Sequence, residues 1–130
     1  MKALIVEDEP ISRLILKRLL TRFFRHNVLE ARDGEEGLAI VERERPAIIF
    51  CDMHMPNLDG VGFLQRLRAI PEFAALPVIA ISSAKDRDLV LRLVDLNIVD
   101  YLLKPIELEA TFKRLERLLP VVLGKEVPHG

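Results

Sequence analysis

Several residues that can take part in chemistry each follow a short apolar segment of this chain. Asp52 stands directly after Ala47–Cys51, although a charged side chain is unfavourable inside a buried strand. Two further acids, a hydroxyl group and an ammonium group follow other apolar segments: Glu7, Asp8, Ser82 and Lys104. If the segments are parallel strands, their carboxyl ends meet at one edge of a sheet, where sites commonly form. All five side chains would then share one site.

Three carboxylates at one sheet edge would repel one another. Glu7, Asp8 and Asp52 would therefore either take up a proton or bind a cation. A hard divalent ion with oxygen ligands suits them, and Mg²⁺ commonly shares its coordination shell with a phosphate. Carboxylates form covalent acyl phosphates, so the pattern predicts that Asp52 accepts a phosphoryl group. Lys104 and the Ser82 hydroxyl would bind the phosphoryl oxygens.

The apolar segments alternate with segments that have helical spacing. Apolar runs with little polar alternation are typical of strands buried on both faces, and there are five: Ala3–Val6, Val28–Ala31, Ala47–Cys51, Val78–Ile81 and Val99–Leu103. Helical spacing covers residues 11–24, 34–44, 60–69, 86–96 and 107–119. In the first of these, the predicted core stripe is Ile11, Leu14, Ile15, Leu19 and Phe23.

Five β-α units predict an α/β fold with a five-stranded parallel sheet, doubly wound, with helices on both faces. Right-handed connections favour the strand order 2-1-3-4-5, as in flavodoxin-like folds. A length of 130 residues suits one core. We expect one domain over residues 1–120 and a tail over residues 121–130, with no output domain.

Composition excludes several classes of protein. The formal net charge of −1, from 19 basic and 20 acidic residues, does not favour direct binding of nucleic acid or of an anionic membrane. The apolar runs are far shorter than the roughly 20 residues of a membrane-spanning helix. Cys51 is the only cysteine, so no intrachain disulfide can form, and we expect a cytoplasmic location.

The chain resembles the receiver domains of response regulators in two-component signalling, the family of the chemotaxis regulator. The likeness rests on the acidic pair after LIV, on Asp52 followed by MPNLDG, on Ser82 after VIAI, and on DYLLKP, which ends in Lys104-Pro105. It covers about residues 2 to 119. The intervals of 30 residues from Asp52 to Ser82 and 52 residues to Lys104 suit the family.

The resemblance implies that Asp52 receives a phosphoryl group from a sensor histidine kinase or a phosphotransfer protein. Mg²⁺ would be held by Asp8, Asp52 and the main-chain carbonyl of His54, with Glu7 acting through water. The protein would be a signalling phosphoacceptor and not an enzyme, although it would catalyse its own Mg²⁺-dependent phosphorylation and dephosphorylation.

The resemblance also implies a switch in the surface around residues 86 to 117. Ser82 would move toward the phosphoryl group, and the Tyr101 ring would turn inward. The surface would then change its preference for a downstream protein target, and a homodimer is left open. This is a population shift between two states, driven by the difference in how the phosphoryl group interacts with each.

Three residues depart from the usual family pattern. Ser83 is followed by Ala84, which offers no side-chain hydrogen bond to an attacking water. His54 stands two residues after Asp52, where its side chain could lie over the phosphoryl group. We expect both to affect the lifetime of the acyl phosphate. Asn97 replaces the more usual glycine before the last strand, and we expect that change to be harmless.

Other readings of the same residues stay open. Glu7 and Asp8 could cap the helix that begins near Pro10. The soft donors Cys51, Met53, His54 and Met55 suggest copper, although strand alternation places Cys51 and Met53 opposite Asp52 and His54. A Mg²⁺-dependent phosphatase and a receiver-like module that never takes phosphate are the alternative functions. The basic residues of the first helical segment could dock a kinase, although a solvated face is the simpler interpretation: Arg13, Lys17, Arg18, Arg22 and Arg25.

Overall fold

A computed structural model describes residues 1–83 and 87–124 of the chain. Five parallel strands form one sheet: β1 (Ala3–Val6), β2 (Val28–Ala31), β3 (Ile48–Asp52), β4 (Val78–Ser82) and β5 (Asp100–Leu103). The helices are α1 (Pro10–Phe24), α2 (Gly34–Glu44), α3 (Gly60–Ala69), α4 (Arg87–Val94) and α5 (Leu108–Leu123), with a short 3-10 helix at Pro71–Phe73. The strand order β2-β1-β3-β4-β5 confirms the predicted α/β fold.

The sheet separates two apolar clusters because successive strand residues point to opposite faces. One cluster joins strand residues such as Leu4 and Ile49 to the buried faces of α2, α3 and α4. The other joins Ile5 and Phe50 to α1 and α5. Both faces of the sheet are therefore covered, which explains why the central strands are apolar at nearly every position.

Acidic residues begin the helices that follow β2 and β3. The Asp33 carboxylate accepts a hydrogen bond from the Glu36 N–H at 2.9 Å, and the Asp59 carboxylate accepts one from Gly62 at 2.8 Å. Each satisfies a backbone donor that has no partner within its helix. Asn97, which precedes β5, has a φ of 58°, a left-handed conformation that asparagine tolerates.

The core stripe predicted for the first helix is confirmed at Leu19 and Phe23 and is wrong at Ile11 and Leu14. Ile11 and Leu14 are 67% and 51% exposed, and the buried side chains of α1 are Leu16, Leu19, Leu20, Phe23 and Phe24. The apolar residues of this helix are dense enough to fit two adjacent stripes. The buried stripe is the one that contains Leu16 and Leu20. It contacts α5, where Phe23 stacks on Phe112 with ring centroids 4.8 Å apart.

Helix α5 extends four residues beyond the predicted end at Leu119. Residues 121–123, which the sequence placed in the tail, belong to this helix, and it passes through Pro120 before ending at Gly124 with a φ of 69°. Proline costs one helical hydrogen bond. The helix continues because Val122 and Leu123 pack on the α1–α5 side of the core. The rest of the predicted tail, residues 125–130, lies outside the described residues.

Other boundaries shift by one or two residues. The third strand runs one residue later than predicted and includes Asp52, which pairs with Ile81 of β4. Within the described residues, no helix combines the length and the apolar character that crossing a membrane requires.

Candidate functional site

Strand register brings the predicted site residues to one edge of the sheet. Val6 of β1 pairs with Cys51 of β3, so Glu7 and Asp52 are the next residues on neighbouring strands. On the other side of β3, Ser82 of β4 pairs with Leu103 of β5, and Lys104 comes next along the chain. The Lys104–Pro105 peptide bond is cis.

Three carboxylates form a cluster at this edge. Glu7, Asp8 and Asp52 each offer an oxygen within 4.8 Å of the other two. Glu7 is fully buried, Asp52 is 2% exposed and Asp8 is half-buried. Burial of three acids so close together is unfavourable unless a cation or protons compensate their charge.

Lys104 provides part of that compensation, and it lies closer to Glu7 than to Asp52. Its ammonium nitrogen is 2.7 Å from Glu7 Oε1 and 3.3 Å from Asp52 Oδ2. The sequence predicted that Lys104 would lie at the same site as Asp52, and it did not predict that Glu7 would be the nearer partner. Within the described residues, Glu7 Oε1 is the one buried side-chain oxygen or nitrogen without a hydrogen bond of good geometry, despite its proximity to the ammonium group.

Burial changes the ionisation of this pair. Burial and, to a smaller extent, the neighbouring Asp52 raise the pKa of Glu7 from 4.5 to about 7, although Lys104 opposes the shift. Burial also acts to lower the pKa of Lys104, but contact with Glu7 and Asp52 outweighs that effect and leaves its pKa raised. Lys104 is therefore positively charged at neutral pH, and Glu7 is close to its midpoint.

His54, in the loop after β3, contacts both Asp52 of β3 and Ser82 of β4. Its backbone N–H donates to Asp52 Oδ1 at 3.2 Å, and its ring Nε2 lies 3.0 Å from the Ser82 hydroxyl. The sequence predicted that this side chain would lie near the phosphoryl site, but it did not predict the contact with Ser82. Ser82 itself is fully buried, whereas His54 is exposed.

The loop after β1 is held by a residue that the sequence analysis did not assign to the site. Arg13 of α1 donates to the backbone carbonyls of Glu7 at 3.0 Å and Asp8 at 3.4 Å. Glu9 caps α1, since its carboxylate accepts from the Ser12 N–H. Glu7 and Asp8 are thus not needed as the cap.

The loop after β3 depends on Gly60. A Cβ atom at this position would lie 2.5 Å from both the Asp52 carbonyl oxygen and the Met53 Cα, which are backbone atoms. The helix α3 can therefore begin this close to Asp52 only with glycine at its first position. The MPNLDG segment signals this constraint, because its Asp-Gly pair lies where the helix begins.

The remaining predicted residues are dispersed. Tyr101 is half-buried against the α2–α4 side of the core, and Ala84 lies outside the described residues. Cys51, Met53 and Met55 are buried in the same apolar cluster, so they do not form a copper site with the exposed His54. Several of the basic residues of α1 have acidic partners in this chain, since Lys17 and Arg13 contact Glu30 at 3.0 and 3.6 Å.

The donor set fits a hard divalent cation. Carboxylate oxygens are the ligands that Mg²⁺ prefers, and the buried Glu7 oxygen has unused capacity to accept an interaction.

The chain belongs to the response regulator receiver domain family, whose model matches residues 3–116. It is 36% identical over 123 residues to a probable chemotaxis protein CheY of Rhizobium etli, which covers 95% of this chain and 92% of that protein. It is 33% identical over 117 residues to a probable C4-dicarboxylate response regulator of Bacillus subtilis, which covers 89% of this chain but only 51% of that relative. The chain thus spans most of one relative and about half of the other.

Solved structures show the same fold. The receiver domain of a sensor histidine kinase from Pseudomonas aeruginosa, with a magnesium ion coordinated in its active site cleft, has a TM-score of 0.80 at 26% identity. That match covers 95% of this chain and 98% of the solved one. The protein is therefore a response regulator receiver domain of two-component systems.

Proposed function

We propose that Asp52 accepts a phosphoryl group from a sensor histidine kinase or a phosphotransfer protein. The observation that carries this proposal is the position of the Asp52 carboxylate, which lies in the acidic cluster and 3.3 Å from the Lys104 ammonium group. An Asp52 oxygen attacks the phosphorus of a phosphohistidine, the P–N bond breaks, and the imidazole nitrogen leaves with the bonding electrons. The product is an acyl phosphate on Asp52.

Each neighbouring group has a role in this reaction. Lys104 neutralises a phosphoryl oxygen, and the Ser82 hydroxyl donates to another. The groups that would hold Mg²⁺ are the carboxylates of Asp8 and Asp52 and the main-chain carbonyl of His54, with the Glu7 carboxylate acting through water. When bound, Mg²⁺ offsets the negative charge that gathers on the phosphoryl oxygens. The magnesium in the related Pseudomonas aeruginosa receiver supports this assignment.

The protein acts, on this proposal, as a signalling phosphoacceptor that catalyses its own phosphorylation and dephosphorylation. Phosphorylation changes how the surface of α4, β5 and α5 binds a downstream protein target, through Ser82 and Tyr101. Tyr101 supports this role because it lies on β5, within that surface, and is half-buried. The buried cysteine Cys51 is compatible with action in the cytoplasm.

The test is incubation with Mg²⁺ and acetyl phosphate, followed by intact mass measurement. We expect one added phosphoryl group on the unmodified protein and none on Asp52→Asn or without metal. Asp59→Asn is the matched control, because Asp59 is an exposed acid on the same loop and asparagine also caps helices well. An adduct that persists on Asp52→Asn would show that another residue is the acceptor.

A further inference from the structure

One contact at the site has no role in the function proposed above. The His54 ring lies within 3.0 Å of the Ser82 hydroxyl, and it reaches that hydroxyl from the loop after β3 to the end of β4. Register places Asp52 opposite Ile81, so the ring spans the two strands next to the phosphoacceptor. An exposed imidazole could be solvated by water instead, yet here it is directed at a fully buried hydroxyl.

A serine hydroxyl has one proton and one rotatable bond. A hydrogen bond to His54 Nε2 holds the oxygen in its present position and restricts its rotation. The same hydroxyl must turn toward Asp52 if it is to donate to a phosphoryl oxygen. When the hydroxyl donates its one proton to Nε2, that proton is not available to a phosphoryl oxygen, so the two hydrogen bonds compete.

We propose that His54 is a positioning residue that holds the Ser82 hydroxyl in the unphosphorylated protein and competes for it with the phosphoryl group on Asp52. The proposal rests on the function proposed above and adds to it a residue that sets how readily the phosphorylated state forms. It acts through Ser82 and requires no contact between the imidazole and the phosphoryl donor.

The test measures the affinity of beryllofluoride, which mimics a phosphoryl group on a carboxylate, by ¹⁹F NMR at saturating Mg²⁺. His54→Ala removes the competing hydrogen bond and leaves the main-chain carbonyl in place. We expect it to bind beryllofluoride about threefold to tenfold more tightly, the range that corresponds to the net contribution of one hydrogen bond. His54→Gln places an amide near the position of Nε2 and should stay within about twofold of the unmodified protein.

Ser82→Ala distinguishes an effect of His54 that acts through the Ser82 hydroxyl from a general effect of the His54 substitution on the loop. If His54 acts through the hydroxyl, His54→Ala changes the affinity only when Ser82 is present, and the double variant matches Ser82→Ala alone. An equal gain in both backgrounds would overturn the proposal, as would an unchanged or weaker affinity in His54→Ala.

The contact can also be tested without any phosphoryl mimic. The chain has three histidines, so the ring ¹⁵N signals of His54 can be assigned with a His54→Gln reference. We expect Ser82→Ala to shift the Nε2 signal of His54 and to leave those of His26 and His129 unchanged. An unshifted signal would overturn the inference and leave the proposed function intact, whereas failure of the unmodified protein to bind beryllofluoride or to take a phosphoryl group would overturn both.

Discussion

Glu7 is the residue whose ionisation most affects the balance of charge at the site. It shares the Lys104 ammonium group with Asp52, and it lies nearer to that group than Asp52 does. With its pKa raised to about 7, Glu7 carries a proton in part of the molecules at neutral pH. That proton relieves repulsion within the cluster when no metal is bound.

The raised pKa of Glu7 predicts a pH dependence of the metal-free protein. Between about pH 4.5 and 7 the folded protein keeps a proton that the unfolded chain has lost, so the free energy of unfolding falls as the pH rises through this window. The full loss is on the order of 3 kcal/mol. Urea unfolding at a series of pH values, with metal chelated, measures it.

Glu7→Gln should make the free energy of unfolding less dependent on pH over the same range, because glutamine stays neutral. Glu42→Gln, at an exposed position on α2, is the control and should keep the original slope. If Glu7→Gln keeps that slope as well, Glu7 ionises in the folded protein with an ordinary pKa.

At the scale of elements, the junction of β3 and α3 positions Asp52. Gly60→Ala adds a Cβ that would meet two backbone atoms at 2.5 Å, so the end of β3 or the start of α3 must move. We expect a loss of about 1–3 kcal/mol in stability and slower phosphorylation by acetyl phosphate.

Gly62→Ala, two residues along the same helix, is the matched control. Its Cβ would meet the end of the Leu58 side chain at 2.7 Å, which can rotate away. The higher helix propensity of alanine offsets part of that cost. Equal losses in the two variants would mean that the backbone contact at Gly60 is unimportant.

Arg68, near the end of α3, forms hydrogen bonds with the segments that precede β4 and β5. Its guanidinium donates to four backbone carbonyls, those of Leu96, Phe73, Leu76 and Asn97, at 2.8 to 3.1 Å. Lysine keeps the charge but lacks the planar set of donors. We expect Arg68→Lys to lower the free energy of unfolding by about 1–3 kcal/mol, measured by urea denaturation.

Arg66 provides the comparison, since it is exposed on the same helix and pairs with Glu35 at the surface. Arg66→Lys should change stability by less than about 0.5 kcal/mol, because exposed ion pairs contribute little. If both variants lose the same amount, the four carbonyl contacts do not stabilise the fold.

At the scale of the whole molecule, metal binding and folding are linked through the acidic cluster. Mg²⁺ should raise the melting temperature by relieving repulsion among the three carboxylates. At a free ion concentration ten times the dissociation constant, the gain is about 1.4 kcal/mol. Circular dichroism melting curves with and without Mg²⁺ measure it.

Asp52→Asn should melt at a higher temperature than the unmodified protein without metal and should respond less to Mg²⁺. The increase in melting temperature that Asp52→Asn causes without metal should be larger above pH 7, where Glu7 is ionised, than at pH 5. Asp59→Asn should keep the full response. An unmodified protein whose melting curve ignores Mg²⁺ would contradict the metal site.

The amino-acid sequence by itself determined the fold and which strand ends meet at the acidic cluster. Five apolar segments alternating with helical ones leave few topologies, because parallel strands need right-handed crossovers. Functional side chains at the ends of those segments must then meet at one edge. Asp52, Ser82 and Lys104 could be selected in this way because position along a strand is a local property.

Only the tertiary structure decided which side chains touch. The pairing of Lys104 with Glu7, the contact of His54 with Ser82, the support of the β1 loop by Arg13 and the phase of α1 depend on register, side-chain rotamers and packing between elements distant in the chain. A pattern of residue types tells which end or face a residue occupies. Distances of 2.7 or 3.3 Å from one ammonium group to two carboxylates are set by the packed fold as a whole.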